Sequence, residues 1–178
     1  METLLNIDGG ILLFIQESIR NPILNPIMIF ITTLGDGGTI WILLTIGLLI
    51  PKKTRKIGVM SALALLGSLL FNNNLIKLLV RRPRPFVTFP ELQILIPTPS
   101  EFSFPSGHTS SSFAAAMVLY RNLPKKAGIP AMVLAALIGI SRLYIGVHYL
   151  TDVIAGALFG MLLGYLAECL VKRFCKKA

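Results

Sequence analysis

Histidine, cysteine and charge are all scarce in this sequence. Only two histidines, His108 and His148, and two cysteines, Cys169 and Cys175, occur in 178 residues. Two imidazoles with no carboxylate cluster beside them leave a two-metal site without ligands. The cysteines sit six apart near the basic C-terminus, a spacing that matches neither one helical face nor a zinc site, so both are expected as free thiols on the reducing side. Charged residues make up only 14% of the chain, against about 25% in an average globular domain. That excludes an ordinary soluble domain. No repeat of 20–50 residues is visible, and the N-terminal stretch lacks the basic start and small-residue cleavage site of a signal peptide.

What the chain has in abundance is apolar sequence, 54% of residues with a mean hydropathy of +0.74. This is a membrane chain, and its length suits one compact domain over residues 1–178. Leu4, Leu5, Ile7, Ile11, Leu12, Phe14, Ile15 and Ile19 recur at helical spacing around Asp8, Glu17 and Arg20, which suits a helix over 1–21 lying in the membrane interface. Apolar runs follow at 22–35, 38–51, 57–80, 107–121, 128–145 and 148–171. Several fall short of the ~20 residues of a full crossing, so their ends are shared with loops or the bilayer thins around them. The fold expected is all-α, an integral membrane bundle of about six transmembrane helices over 22–171 with an N-terminal interfacial amphipathic helix and a basic cytoplasmic tail, 172–178.

The net charge of +9 sits in short clusters between apolar runs, which fits phospholipid headgroups and membrane orientation and excludes nucleic acid as a partner. Lys52, Lys53, Arg55 and Lys56 form one cluster, Arg121, Lys125 and Lys126 a second, and Lys172, Arg173, Lys176 and Lys177 a third. With six spans all three fall on one side, the cytoplasm, and both termini share it. Lys77, Arg81, Arg82, Arg84 and Arg142 map to the opposite side, against that rule. Snorkelling to outer headgroups accounts for Arg81 and Arg82, whereas Lys77, some seven residues inside the Arg-Pro segment, points to a bound anion.

Both histidines join those cations at the outer end. In Pro105-Ser106-Gly107-His108, Gly107 lets the backbone approach a ligand, while Ser106 and the free N–H groups of a starting helix form a phosphate cradle. Asp152 follows His148 by four residues. On a helix this puts the carboxylate on the same face, where it orients one ring nitrogen and leaves the other as a lone pair for the ligand; an ordinary polar pair at the same spacing is the alternative. Gly156, Gly160 and Gly164 continue the same face as a small-residue stripe, so Asp152 is expected to face the bundle.

Three segments, KLLVRRPRP (77–85), PSGH (105–108) and SRLYIGVHYLTD (141–152), together resemble the three-part signature of the type 2 phosphatidic acid phosphatase family, K-x6-R-P, P-S-G-H and S-R-x5-H-x3-D. Every motif position matches in type and spacing. The resemblance extends over residues 57–171 and implies a phosphatase acting on a lipid phosphate in the bilayer, with no metal and no cofactor. It implies His148 as the nucleophile that forms a phosphohistidine, Asp152 as its support, and His108 as the acid on the departing oxygen and then the base on water. Lys77, Arg84, Ser106, Gly107 and Arg142 would hold the phosphate. The expected substrate is an isoprenoid carrier diphosphate such as undecaprenyl diphosphate, with phosphatidylglycerophosphate, phosphatidate and lipid A phosphates as alternatives. A non-catalytic lipid-phosphate binder or transporter is the alternative of another class. The segment FVTFPELQILIPTPSEFSF is expected as an apolar rim for the lipid tail, with Glu91 and Glu101 as solvated loop residues.

Overall fold

The computed structural model describes residues 2–175, and these are all helix, turn or loop. Lys176 and Lys177 of the expected basic tail lie outside them, as does the side chain of Cys175; Cys169 is an exposed free thiol. The helices are α1 (Glu2–Phe14), α2 (Leu24–Leu34), α3 (Thr39–Leu49), α4 (Arg55–Ser68), α5 (Lys77–Val80), α6 (Pro85–Thr88), α7 (Gly107–Asn122), α8 (Lys125–Tyr144) and α9 (Leu150–Cys175). A π-helical segment, Leu69–Ile76, joins α4 to α5.

Three helical stretches, Arg55–Thr88, Lys125–Tyr144 and Leu150–Phe174, are long and apolar enough to cross a membrane, and a fourth arises if α2 and α3 count as one bent span. Those two helices are broken at Gly35–Gly38 and inclined by 46°. Gly37 and Gly38 take φ of +59° and +73°, the left-handed region that glycine enters at no steric cost. The runs 22–35 and 38–51, expected as separate antiparallel crossings, therefore follow one another along one bent path. It starts beside Tyr144, whose hydroxyl meets the Asn21 N–H and Asn25, and ends where Leu48 packs near Leu119 and Leu123.

This changes where the chain begins. With α2–α3 as a single pass, α1 lies at the end of the bundle that carries the histidines, not with the C-terminus. Leu12 of α1 packs with Leu92, Leu143 and Tyr149, and Arg20 donates to the carbonyls of Tyr144 (2.8 Å) and Gln93 (2.6 Å). The first two basic clusters and Lys172 with Arg173 still share the other end. There Ile57 packs with Val118 and Val171, and Glu168 pairs with Arg121 and Lys172.

Helix α7 is the centre of the bundle, packed against α4, α8 and α9. In an apolar solvent no hydrophobic effect drives helices together, so close backbone approach and interhelical hydrogen bonds must do so. Ala114, Ala115 and Ala116 are fully buried. The glycine stripe of α9 faces α7 as expected: a Cβ at Gly156 would lie 2.7 Å from the Ser106 carbonyl oxygen, and one at Gly164 2.6 Å from that of Ala114. The hydroxyl run after His108 is spent on the neighbours. Ser110 meets Ser68 at 2.8 Å and also Asn72, and Ser112 accepts from the Trp41 indole at 2.8 Å. Each such bond contributes about 0.6 kcal/mol.

Candidate active site

The ends of α4–α5, α7 and α8, with the turn before α9, enclose a cavity of about 590 Å³ whose wall includes Lys77, Arg84, Gly107, His108, Arg142 and His148. These six residues, up to 71 positions apart in sequence, thus face one space. Each reaches it by a local device. The π-helical segment ends with the Lys77 N–H on the Asn72 carbonyl, a wider turn that sets the direction of the lysine. Arg84 is the residue before Pro85 and is extended (ψ 157°), as pre-proline sterics require. Its Nε donates to the Glu101 carbonyl (2.6 Å) and one terminal nitrogen to the Val147 carbonyl (3.0 Å). Arg142, in the last turn of α8, donates to Thr32 on α2 (2.7 Å), and its Nε is buried without a partner among the described residues.

His148 lies in the turn between α8 and α9, not on a helix, so it and Asp152 do not share a helical face. They meet because Asp152 caps the start of α9: its Oδ2 accepts the Tyr149 N–H (2.9 Å) and the Ser103 hydroxyl, and the His148 Nδ1 stands 3.4 Å from the same oxygen. With the proton on Nδ1, the Nε2 lone pair is directed towards Arg84, 3.4 Å away. Burial first, then the charges of Arg142 and Arg84, push the pKa of His148 down to about 3 against the opposing pull of Asp152. The ring is therefore neutral at physiological pH.

His108 stands in the first turn of α7, and its Nε2 meets the Asp36 carboxylate at 2.7 Å. Asp36 comes from the Gly35–Gly38 break, and a Cβ on Gly35 would lie 2.9 Å from the His108 ring, so the glycine admits the imidazole. Nothing in the sequence tied Asp36 to a residue 72 positions later. We expect Asp36→Asn to lower kcat by at least about tenfold with KM within about twofold, since a carboxylate that orients a reacting imidazole can be worth up to about 10⁴-fold in kcat; steady-state kinetics of the purified variant check this.

Four expectations are corrected. Ser106 is absent from the cavity wall and fully buried; its hydroxyl accepts from the Thr109 hydroxyl at 2.9 Å and caps α7. Helix initiation, not phosphate, claims it. Arg82 does not snorkel: it donates to Asp152 Oδ1 (2.7 Å), Thr151 (2.6 Å) and Asp8 (2.8 Å), because buried carboxylates behind the site demand its charge. Glu101 is not a free loop residue, since its carboxylate pairs with Lys77, which holds its pKa below the usual carboxylate range. The loop 86–104 meets the cavity through Pro99, Ser100 and Glu101, and not through its run of large apolar residues. Leu92 packs with Leu12, and Ile94, Leu95 and Ile96 pack with Tyr144, Ile145 and Val147. The apolar wall is instead Ile42 of α3 with Leu65, Leu66 and Leu69.

Among the described residues, no three His, Cys, Asp or Glu side chains stand together as a metal site. Fold and site define a helical membrane protein with a buried cationic pocket that presents two imidazoles. Residues 57–175 match the model of the PAP2 superfamily, and the chain belongs to that family. Over 144 residues it is 35% identical to an undecaprenyl-diphosphatase of Sulfolobus acidocaldarius, covering 81% of this chain and 69% of that one. Over 148 residues it is 35% identical to undecaprenyl-diphosphatase BcrC of Bacillus subtilis, covering 83% and 75%. The crystal structure of a transmembrane PAP2-type phosphatidylglycerolphosphate phosphatase from Bacillus subtilis superposes with a TM-score of 0.77 at 32% identity, covering 99% of this chain and 88% of that one.

Proposed function

We propose that this protein is a membrane lipid phosphatase that hydrolyses undecaprenyl diphosphate through a phosphohistidine. The observation that carries the reading is the convergence of Lys77, Arg84, Arg142 and both histidines on one cavity. Lys77 is paired with Glu101, but among the described residues neither Arg84 nor Arg142 forms an ion pair with a carboxylate, and a phosphate supplies the missing negative charge.

In the first step His148 Nε2 attacks the terminal phosphorus, a P–N bond forms, and the P–O bond to the lipid breaks. His108 gives its proton to the departing oxygen. In the second step His108 takes a proton from water, the water oxygen bonds to phosphorus, the P–N bond breaks, and inorganic phosphate leaves. Asp152 offsets the charge that develops on the His148 ring, while Lys77, Arg84, Arg142 and the Gly107 N–H hold the phosphate oxygens through the transition state. The wall formed by Ile42, Leu65, Leu66 and Leu69 receives the first isoprene units. A simple phosphate binder has use for the cations but not for an imidazole backed by a buried carboxylate.

We read α7, 16 residues long and packed between α4, α8 and α9, as a crossing beside the four apolar stretches α2–α3, α4–α5, α8 and α9, with α1 in the interface. The basic clusters at the end remote from the histidines support an outward-facing site by the positive-inside rule. The identity to two undecaprenyl-diphosphatases favours the isoprenoid carrier over phosphatidylglycerophosphate, phosphatidate and lipid A phosphates. Phosphate release by protein purified in detergent with excess chelator should be fastest with undecaprenyl diphosphate. Loss of activity with the chelator, or faster release from phosphatidylglycerophosphate, would overturn the mechanism or the substrate respectively.

A further inference from the structure

We infer that Asp8, on the N-terminal helix, is a positioning residue of the catalytic centre: through Arg82 and Thr151 it fixes Asp152 and keeps it effectively anionic towards His148. The inference rests on the phosphatase reading above and adds to it a residue far outside the three motif segments. Asp8 is only 1% exposed. A carboxylate withdrawn from water costs several kcal/mol unless paired, so its partners reveal what it is for. They are the Arg82 guanidinium (2.8 Å), the Thr151 N–H (3.2 Å) and the Thr151 hydroxyl. All of them lie against Asp152.

Arg82 is shared between two carboxylates. One terminal nitrogen reaches Asp152 Oδ1 at 2.7 Å and Thr151 at 2.6 Å, the other reaches Asp8, and the guanidinium lies 3.8 Å over the Tyr149 ring. Asp152 Oδ2 is thereby left to Ser103, the Tyr149 N–H and His148. Charge decides the consequence. Asp8, Arg82 and Asp152 together carry one net negative charge, the same as a lone carboxylate. Without Asp8, the Arg82 charge would cancel that of Asp152, and the ring of His148, already beside Arg84 and Arg142, would lose the anion that offsets its developing positive charge. A fully buried Asp152 thus stays both fixed and negative because a second carboxylate takes up the arginine. The site is complete only when α1 is docked.

The test compares Asp8→Asn, Asp152→Asn and the double variant, with Leu12→Ala as a control that loosens α1 packing without touching the clamp. Each is assayed for kcat and KM with undecaprenyl diphosphate below its melting temperature. Asp8→Asn should lower kcat by at least about tenfold with KM within about twofold, because it acts on the carboxylate behind a reacting imidazole, whose own loss can cost up to about 10⁴-fold. The double variant should be no slower than Asp152→Asn alone, because residues acting as one unit are not additive. Leu12→Ala should lower the melting temperature while leaving kcat within about threefold, and its small effect should add in full to that of Asp152→Asn. A wild-type kcat in Asp8→Asn, independent multiplication of the two aspartate effects, or an equal loss in Leu12→Ala would overturn the role of Asp8. A wild-type protein that releases no phosphate from any lipid would instead overturn the phosphatase reading, and this one with it.

Discussion

His148→Ala should lower phosphate release by about 10⁴-fold or more, the scale seen when a catalytic nucleophile is removed. Binding of the lipid phosphate should survive, because Lys77, Arg84 and Arg142 reach the cavity independently of the imidazole. The fold should also survive. Asp152 keeps Ser103, the Tyr149 N–H and Arg82 when the ring is gone, so no buried carboxylate is left alone. Quench in alkaline detergent, which preserves the acid-labile P–N bond, after brief exposure to ³²P-labelled substrate should trap labelled wild-type protein and no labelled variant. Turnover within tenfold of wild type would end the phosphohistidine mechanism. The low pKa of His148 adds a second expectation. Since the ring protonates only near its folded value of about 3, the kcat/KM profile of the free enzyme should show no acid limb from this group across the physiological range.

Arg82→Leu should have the largest effect on stability. It strips the shared cation from two buried carboxylates at once, and breaking a buried pair from one side costs about 3–5 kcal/mol because the remaining charge is left uncompensated. The expected result is a lowered melting temperature in detergent, with α1 released first because Asp8 is one of its polar anchors. Limited proteolysis at α1 and thermal unfolding of the same sample report this together. A melting temperature within about 2 °C of wild type would show that the clamp contributes little, since 1 kcal/mol shifts a chain of this size by roughly 2–4 °C. Arg82→Lys retains the charge and should fall between the two.

Much of the site could be read in the sequence because each motif is a short segment with fixed internal spacing, and local spacing survives folding. Lys77 with Arg84, Gly107 with His108, and Arg142 with His148 each come from one segment, and all line the cavity. The partners that come from other segments could not be read that way. Asp36 stands between two glycines and belongs to none of the three motifs, Asp8 looked like a polar break in an amphipathic helix, and Arg82 like one more headgroup-facing arginine. Each acquires its role only from a residue 70 or more positions away. The same limit applied to α2 and α3. Hydropathy marks two apolar runs, but whether the chain reverses or merely bends at Gly35–Gly38 depends on the backbone angles that glycine leaves open.

By itself, the sequence determined a helical membrane chain, the clustering of its basic residues, a small-residue face on α9, and the cations and histidines that line one cavity. All of these follow from composition or from spacing within one segment. Only the tertiary structure decided that the first two apolar runs follow one bent path, that α1 packs at the end that carries the histidines, and that Asp8 and Asp36 stand behind the two histidines. The physical reason is that a buried charge must find its counter-charge somewhere in space, and hydrophobic periodicity carries no record of which distant segment supplies it.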